Sequence, residues 1–265
     1  MHITSRDNSL LRQARRVRDG KETELIFIEG LRLAEEAQLS GLEIEAAIFS
    51  DELARKERVA SSLQTIEAVS ERTATVSEKL LESISYTKTP QGIVLLARRP
   101  QTGKEQLSAT AKGALLVVLH QINNPVNVGA ILRTAEAAGA SGVITTKNTS
   151  DPYSPKSLRG AMGAAFRIPL WSGPEYFEVI EWCRNREFQI LCSAATGPVS
   201  YTDLDWSMST ALVLGPESTG LTVDEIAQAD QSVCIPMAGC AVSLKVSVAA
   251  GILLFEAARQ RRLTS

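Results

Sequence analysis

Apolar and polar positions along the chain follow two patterns that predict strands and helices in alternation. Continuous apolar runs predict buried strands, and apolar residues three or four positions apart predict helices. In the first hundred residues, strands are predicted at 25–30, 44–49 and 92–98, with short β-like runs at 65–69 and 73–76. Helices are predicted at 9–19, 31–39, 52–61 and 77–84, the third capped by Asp51. This alternation indicates a small α/β unit that ends near Arg99.

A second and longer α/β series begins at Ala114. Strands are predicted at 114–119, 142–146, 168–171, 188–193 and 211–215, with a short one before Pro236. Helices are predicted at about 127–139, 155–164, 174–186, 222–228 and 243–261, the last with Ser243 as its N-cap. Helices between successive strands favour a mostly parallel sheet with both faces covered. Turn formers and charges at 100–113 predict a linker between domains 1–99 and 114–265.

Composition limits the class of protein. The chain has 265 residues and a hydrophobic content of 44%, which permits a sizeable core and argues against wholesale disorder. The net charge of −2 means that any nucleic-acid surface must come from a local patch. Arg12, Arg15 and Arg16 form such a patch, because helical spacing places them on one face of the helix at 9–19. A solvated surface and a phosphate contact explain the patch equally well.

Cysteines and histidines give no metal-binding pattern. No CxxC pair occurs among the four cysteines, and His2 and His120 cannot complete a ligand set, so buried thiols in a reducing compartment are expected. No apolar run is long enough to span a membrane, and the start lacks the apolar segment of a secretion signal. A cytoplasmic protein is therefore expected, with an Arg-rich transit peptide as the alternative.

The first candidate motif is the stretch 120–135, where a predicted buried strand runs into a helix. Asn127 and Arg133 lie in or near the first turns of that helix. The turn between strand and helix is where α/β proteins place ligands. Taken alone, however, the stretch favours an ordinary turn with solvated polar residues.

Two further motifs lie in the last quarter of the chain. Residues 212–221 form a predicted strand and a glycine-rich turn that carries Glu217; Gly215 and Gly220 permit a close backbone approach or a positive φ. Residues 234–252 pass through an irregular stretch around Pro236 and Gly239 into a helix of small residues. Irregular loops of this kind commonly line ligand sites.

Together the three motifs resemble the SpoU (TrmH) branch of the SPOUT RNA methyltransferases. The resemblance covers about residues 113–262 and rests on Asn-Pro-x-Asn-x-Gly-Ala-Ile-x-Arg-Thr, then Gly-x-Glu-x-x-Gly, then Ile-Pro-Met with Ser-Leu-x-Val-Ser-Val-Ala-Ala. The stretch 151–159 also looks like a family element, with Lys156 and Arg159 as candidate substrate-binding residues. The first hundred residues resemble the ribosomal-protein-L30e-like substrate-binding domain that precedes this domain in many members.

This resemblance implies an α/β domain with a C-terminal trefoil knot that builds the S-adenosylmethionine (AdoMet) pocket. It also implies a homodimer with sites at the subunit interface. Gly215, Ile235 and Leu244 match positions that contact the cofactor, and Met237 would add apolar lining. The implied reaction is 2′-O-methylation of ribose in RNA. It needs no metal, because the sulfonium is already an activated electrophile.

The resemblance also assigns the catalytic residues. Arg133 matches the catalytic arginine, Asn127 the asparagine that supports it, and Glu217 the acid that helps to hold the active-site loop. A guanidinium is normally always protonated, so pairing of Arg133 with RNA phosphate and stabilisation of a developing alkoxide is a simpler hypothesis than a general base. Lys245 replaces the usual asparagine of the third motif. It either contacts RNA phosphate, repels the sulfonium or is simply tolerated, and we favour the last.

The leading hypothesis is therefore an AdoMet-dependent ribose 2′-O-methyltransferase acting on 23S-type rRNA, because the first domain resembles an RNA-binding ribosomal protein. A tRNA ribose methyltransferase, a resistance methyltransferase acting on rRNA and a non-catalytic, dimeric RNA-binding protein are the alternatives. A nicotinamide dehydrogenase is set aside, because no GxGxxG follows a first strand.

Overall fold

The computed structural model describes residues 1–107, 113–240 and 243–264. The chain forms two compact units. One comprises Met1–Gln101 and Tyr153–Phe166, and the other Thr102–Pro152 and Arg167–Ser265. The α/β class predicted from the sequence is confirmed.

The first unit is built around a five-stranded sheet. Its strands are β1 (His2–Ile3), β2 (Leu25–Glu29), β3 (Ile44–Ser50), β4 (Ser70–Val76) and β5 (Ile93–Arg98). Its helices up to residue 101 are α1 (Ser9–Arg18), α2 (Leu31–Leu39), α3 (Asp51–Ala54), α4 (Ala60–Ala68) and α5 (Glu78–Ile84), with a 3-10 turn at Glu57–Val59. The strand order is β1-β4-β3-β5-β2, where β5 is antiparallel to both of its neighbours and the other pairs are parallel.

Two predictions for the first unit are wrong. The β-like run expected at 65–69 lies largely in α4, whose buried Leu63 and Ile66 are three residues apart on one helical face. The helix expected at 52–61 is broken into α3, the 3-10 turn and the start of α4. The cap of α3 is Ser50 and not Asp51, because the Ser50 hydroxyl accepts the amide of Leu53 at 3.1 Å.

The second unit contains a seven-stranded sheet. Its strands are β6 (Leu115–Leu119), β7 (Gly142–Thr145), β8 (Leu170–Ser172), β9 (Gln189–Ser193), β10 (Val199–Ser200), β11 (Thr210–Leu214) and β12 (Gln231–Cys234). The helices after residue 101 are α6 (Pro125–Ala137), α7 (Pro155–Ala161), α8 (Ala164–Arg167), α9 (Tyr176–Arg184), α10 (Val223–Ile226) and α11 (Val246–Thr264), with 3-10 turns at Lys104–Gln106 and Tyr201–Asp203. Of these, α7 belongs to the first unit.

The seven strands run in the order β10-β12-β9-β11-β6-β7-β8, and every neighbouring pair is parallel. From β6 the chain builds outward through β7 and β8, then crosses to β9 on the other side of β11. The order therefore reverses between β6 and β11. In an open parallel sheet, such a switch point leaves a crevice at the carboxyl ends of the strands.

Helices α6 and α11 pack against each other in the second unit. A Cβ added to Gly251 on α11 would lie 3.8 Å from Thr134 Cγ2 on α6, an ordinary van der Waals contact, so the packing at this point does not depend on glycine. The prediction that Ser243 caps α11 is wrong. The Lys245 carbonyl accepts the amides of Val248 and Ala249, which makes Lys245 the N-cap.

The core of each unit is apolar, with all the residues of β6 and β11 buried. All four thiols were predicted to be buried. Cys183 and Cys192 are buried, whereas Cys234 is half-buried and Cys240 is exposed. No helix among the described residues is long and apolar enough to cross a membrane.

Candidate functional site

The first motif is a tightly held connection between β6 and α6. After β6, Gln121 adopts a positive φ of 52°, which turns the chain over the end of the strand. Asn124 then caps α6, since its side chain accepts the amide of Val126 at 3.0 Å, and Pro125 occupies the first turn. The sequence Asn-Pro therefore fixes where α6 begins and which of its residues point toward β11.

The loop after β7 braces this connection. The Ser150 amide donates to the Ile122 carbonyl at 2.9 Å, and the Ser150 hydroxyl donates to the Asn123 carbonyl at 2.6 Å. The Thr149 hydroxyl donates to the Leu119 carbonyl at 2.9 Å. These hydrogen bonds hold residues 119–123 in place.

At the switch point, Asn127 brings all three motifs together. Its side chain is fully buried, and its amide donates a short hydrogen bond to Glu217 in the loop after β11. The Ser247 hydroxyl, in the first turn of α11, lies 3.5 Å from the Asn127 amide oxygen. The structure therefore joins the predicted pair Asn127 and Glu217 and adds Ser247, which sequence reasoning missed.

Two glycines shape the Glu217 loop in different ways. Gly220 has a φ of 66°, and its amide donates to the Pro216 carbonyl at 2.9 Å, which closes the loop. At Gly215 there is little room for a side chain, because an added Cβ would lie 2.8 Å from Leu221 Cγ and 3.0 Å from the Leu221 amide nitrogen. A side chain would be strained at Gly220 and crowded by Leu221 at Gly215, so Glu217 stands on a constrained turn.

The third motif offers the groups that AdoMet needs. Ile235 and Leu244 are half-buried, and Met237 is 37% exposed, which leaves apolar surface for an adenosine or a methionine chain. Residues 235–240 lie outside any helix or strand, so amides and carbonyls of this segment can serve a ligand. With the Gly215 turn, these residues fit a neutral-to-cationic nucleoside held mainly by main-chain contacts.

Beneath the site, a second polar cluster surrounds His120, which is only 4% exposed. Its Nδ1 lies 3.0 Å from the Thr146 hydroxyl, and its Nε2 lies 2.9 Å from Glu225 Oε1. The Tyr176 ring lies 4.6 Å from the imidazole, and its hydroxyl donates to the Glu225 carbonyl at 3.0 Å. Sequence reasoning considered His120 as a metal ligand, rejected that role and missed this cluster. The capping-box spacing Thr222-x-x-Glu225 was a signal in the sequence for part of it.

Burial and hydrogen bonding set the charge states of this cluster. Burial opposes the ionisation of Glu225, but hydrogen bonds from Thr222 and the contact with His120 outweigh it, so the pKa of Glu225 lies below its ordinary value. Burial raises the pKa of Tyr176 far above its usual range. Glu225 is therefore an acceptor and Tyr176 a donor at neutral pH.

Arg133 and Lys245 stand apart from the Asn127 cluster. Both side chains are exposed, and neither forms a hydrogen bond or an ion pair with the part of the chain that is described. Arg133 follows Asn127 by six residues on α6 and so points to a different side of the helix. The predicted catalytic arginine is thus not joined to Asn127 and Glu217 within this chain.

Of the predicted RNA-binding residues, Lys245 lies in the second unit and the others lie in the first. On α1, Arg12 is exposed, Arg15 donates to the Arg6 carbonyl at 2.8 Å, and Arg16 lies 3.5 Å from Glu22. Lys156 and Arg159 are exposed on α7. Arg12 and Arg16 offer the most accessible positive charge on α1, because the Arg15 guanidinium is engaged by the backbone.

No group of three or more histidine, cysteine, aspartate or glutamate side chains among the residues described could hold a metal ion.

Comparison with known families gives two matches along the chain. Residues 114–255 match the model of the SpoU rRNA methylase family. Residues 9–95 match the model of the MRM3-like substrate-binding domain.

Individual proteins agree with these matches. The 23S rRNA (guanosine(2553)-2′-O)-methyltransferase RlmP of Bacillus subtilis is 30% identical over 96% of this chain and 97% of its own. The AdoMet-bound rRNA methyltransferase of Sinorhizobium meliloti superposes with a TM-score of 0.86 at 31% identity, covering 98% of this chain and 97% of that one. The TrmH/SpoU tRNA modifying enzyme of A. aeolicus, at 29% identity, covers 58% of this chain and 79% of its own with a TM-score of 0.52.

The matched model covers more than half of the chain, and the relative from B. subtilis extends the likeness over nearly all of it. Both agree with the three motifs that meet at the end of the parallel sheet. The chain belongs to the SpoU rRNA methylase family.

Proposed function

We propose that this protein transfers a methyl group from AdoMet to a ribose 2′-hydroxyl of 23S-type ribosomal RNA. The observation that carries the proposal is the contact of buried Asn127 with Glu217, which joins the first and second motifs at the switch point of the sheet. AdoMet, when bound, supplies a methyl group already activated by its sulfonium. As the C–O bond forms and the C–S bond breaks, S-adenosylhomocysteine leaves and the hydroxyl proton passes to solvent, so the chain has to hold AdoMet and position the ribose.

Cofactor binding falls to the loops at the ends of β11 and β12. The turn at Gly215 and the main chain of 235–240 provide hydrogen-bonding groups, while Ile235, Met237 and Leu244 cover the apolar parts of the ligand. Glu217, anchored by Asn127, keeps the first of these loops in place. Main-chain recognition of this kind tolerates Lys245, whose side chain is exposed.

Arg133 is the proposed catalytic residue. A guanidinium is a cation, so the exposed Arg133 side chain pairs with RNA phosphate and stabilises the negative charge that develops on the ribose oxygen. It lies away from the Asn127 cluster of its own chain, which fits a site completed by a second subunit.

A homodimer is therefore part of the proposal. Val126 on α6 and Val248 and Phe255 on α11 are exposed apolar side chains, on two helices that pack together. Val248 and Phe255 are seven residues apart and so share one face of α11, as an interaction surface requires. The C-terminal trefoil knot implied by the resemblance stays a prediction.

RNA recognition is assigned to exposed positive charges. We assign phosphate contacts to Arg12 and Arg16 on α1 and to Lys156 and Arg159 on α7. Arg15 would contribute less to RNA binding, because its guanidinium is bonded to the Arg6 carbonyl. The match of residues 9–95 to a substrate-binding domain supports this assignment. Because ribosomal RNA is the proposed substrate, we place the protein in the cytoplasm.

Ribosomal RNA is favoured over transfer RNA by the extent of the likeness. The 23S rRNA methyltransferase of B. subtilis matches along both units, whereas the tRNA modifying enzyme of A. aeolicus matches 58% of the chain. A non-catalytic RNA-binding role is disfavoured because Asn127, Arg133 and Glu217 are all present.

Mapping of 2′-O-methyl groups tests the proposal. Purified protein and AdoMet are added to unmodified 23S rRNA and to tRNA, and modified riboses are located by alkaline cleavage. We expect one site in 23S rRNA. Methylation of tRNA alone would reject the rRNA assignment, and an absence of AdoMet binding by calorimetry would favour the non-catalytic role.

Arg133→Ala tests the proposed catalytic residue separately from cofactor binding. It should lower turnover by at least about a hundredfold, while AdoMet binding stays close to wild type. Near-normal turnover of Arg133→Ala would remove the proposed role of this residue.

A further inference from the structure

The segment 215–225 is fastened to the 120–127 segment at two points. At one end Glu217 accepts a hydrogen bond from the side-chain amide of Asn127. At the other end Glu225 accepts one from the imidazole of His120. His120 directly follows β6, where its amide also donates to the Leu214 carbonyl at 2.9 Å. The segment that carries Glu217 is therefore held close to β6 by His120 as well as by Asn127.

Both partners of the contact between His120 and Glu225 are held in place by other residues. Thr146 and the Tyr176 ring fix the orientation of the buried His120 imidazole. Glu225 is fixed through its second oxygen, which accepts the Thr222 amide at 2.8 Å, and through its backbone carbonyl, which accepts the Tyr176 hydroxyl. A carboxylate with so many partners keeps the start of α10, and with it the preceding loop, in one position.

We propose that His120 is a positioning residue: through its contact with Glu225 it sets the place of the 215–221 loop, and so the fit of AdoMet between that loop and residues 235–240. The inference deepens the proposed function and rests on it. His120 does not touch the ligand; its effect passes through Glu225 and α10. The proposal explains why a histidine and a glutamate are held together under a site whose chemistry uses neither.

Two substitutions of His120 separate this role from general packing. In His120→Gln the amide nitrogen reaches about as far as Nε2 and can still donate to Glu225. In His120→Asn the amide ends near the place of Nδ1, so the contact with Thr146 can persist while that with Glu225 is lost. We expect His120→Asn to weaken AdoMet binding and lower kcat/KM by roughly tenfold to a hundredfold, and His120→Gln to stay within about threefold of wild type.

Ser141→Ala is the control for stability. It removes the hydroxyl that accepts the Leu115 amide at 3.2 Å, at the opposite end of β6 from His120. It should lower the melting temperature without changing AdoMet affinity. A purely structural role of His120 would make His120→Asn behave in the same way, and that result would overturn the proposal.

If His120→Asn does not fold, a comparison of Glu225→Ala with Thr222→Ala tests the same proposal. Both break the capping box, but only Glu225→Ala removes the partner of His120. Glu225→Ala should show the larger loss of AdoMet affinity. Equal losses in the two variants would mean that helix capping alone matters, and would reject the role of His120.

Amide hydrogen exchange provides a readout that does not depend on methyl transfer. In His120→Asn, or in Glu225→Ala, the amides of 216–221 should exchange faster while those of β6 and β11 keep their protection. Failure of wild-type protein to methylate RNA would reject the proposed function and leave this measurement intact. Unchanged exchange at 216–221 in a folded variant would reject the inference.

Discussion

The two units bury their polar side chains for different purposes. In the first unit, Glu29, Ser50 and Ser85 serve backbone groups: Ser50 caps α3, Ser85 donates to the Leu81 carbonyl, and Glu29 accepts the amides of Tyr86 and Thr87, 57 and 58 positions away. In the second unit, buried His120 and Asn127 instead contact side chains about ninety or more positions away in sequence.

This difference follows from the two sheets. The mixed sheet of the first unit has strands whose ends fall at both edges, so its polar groups serve single turns. The parallel sheet of the second unit brings the ends of β6, β11 and β12 to the same edge, where loops distant in sequence meet. We infer that polar substitutions in the second unit impair the site, while those in the first mainly impair stability.

Asn127→Asp is expected to have the largest effect. It would place a carboxylate in a fully buried position against Glu217, so the two negative charges would repel each other. We expect AdoMet affinity to fall by about a hundredfold, the equivalent of about 3 kcal/mol, when measured by calorimetry at pH 8. The loss should become smaller toward pH 6, because the introduced carboxyl would take up a proton and again donate to Glu217.

Adding Glu217→Gln to Asn127→Asp is the control, since it restores one amide and one carboxylate with their places exchanged. The double variant should recover part of the lost affinity. If the single variant bound AdoMet as tightly as wild type, the contact of residue 127 with Glu217 would have no part in the site, and the contrast between the units would fail.

Glu29→Gln tests the first unit. The Glu29 carboxylate is buried and accepts three hydrogen bonds, from the amides of Tyr86 and Thr87 and from the Thr87 hydroxyl. A glutamine would turn its amide group toward one or more of these donors, at a cost of about 1–3 kcal/mol in the free energy of unfolding. Denaturant unfolding should show this loss, while AdoMet affinity stays unchanged. Glu24→Gln, at an exposed position just before the same strand, should change neither quantity.

The sequence predicted some levels of this organisation and missed others. The apolar runs of β6 and β11 are long enough to be recognised, whereas β1 and β10 have two residues each and no period to detect. Asn127 and Glu217 stood out because they lie in motifs, but no local pattern relates residues ninety positions apart. His120 was missed because its partners come from three separate elements, and only the folded sheet brings them together.

Lys245→Asn should have the smallest effect, and it tests whether the third motif acts through its main chain. Lys245 is the N-cap of α11, a position where asparagine is favoured and where a cation faces the positive end of the helix. We expect the free energy of unfolding to rise by about 1 kcal/mol and kcat to change by less than about twofold. Lys245→Gln removes the charge without a good cap and should gain less stability. A large rise in methyl transfer in Lys245→Asn alone would show that an asparagine side chain acts directly in the reaction, so that the site would need more than the main chain at this position.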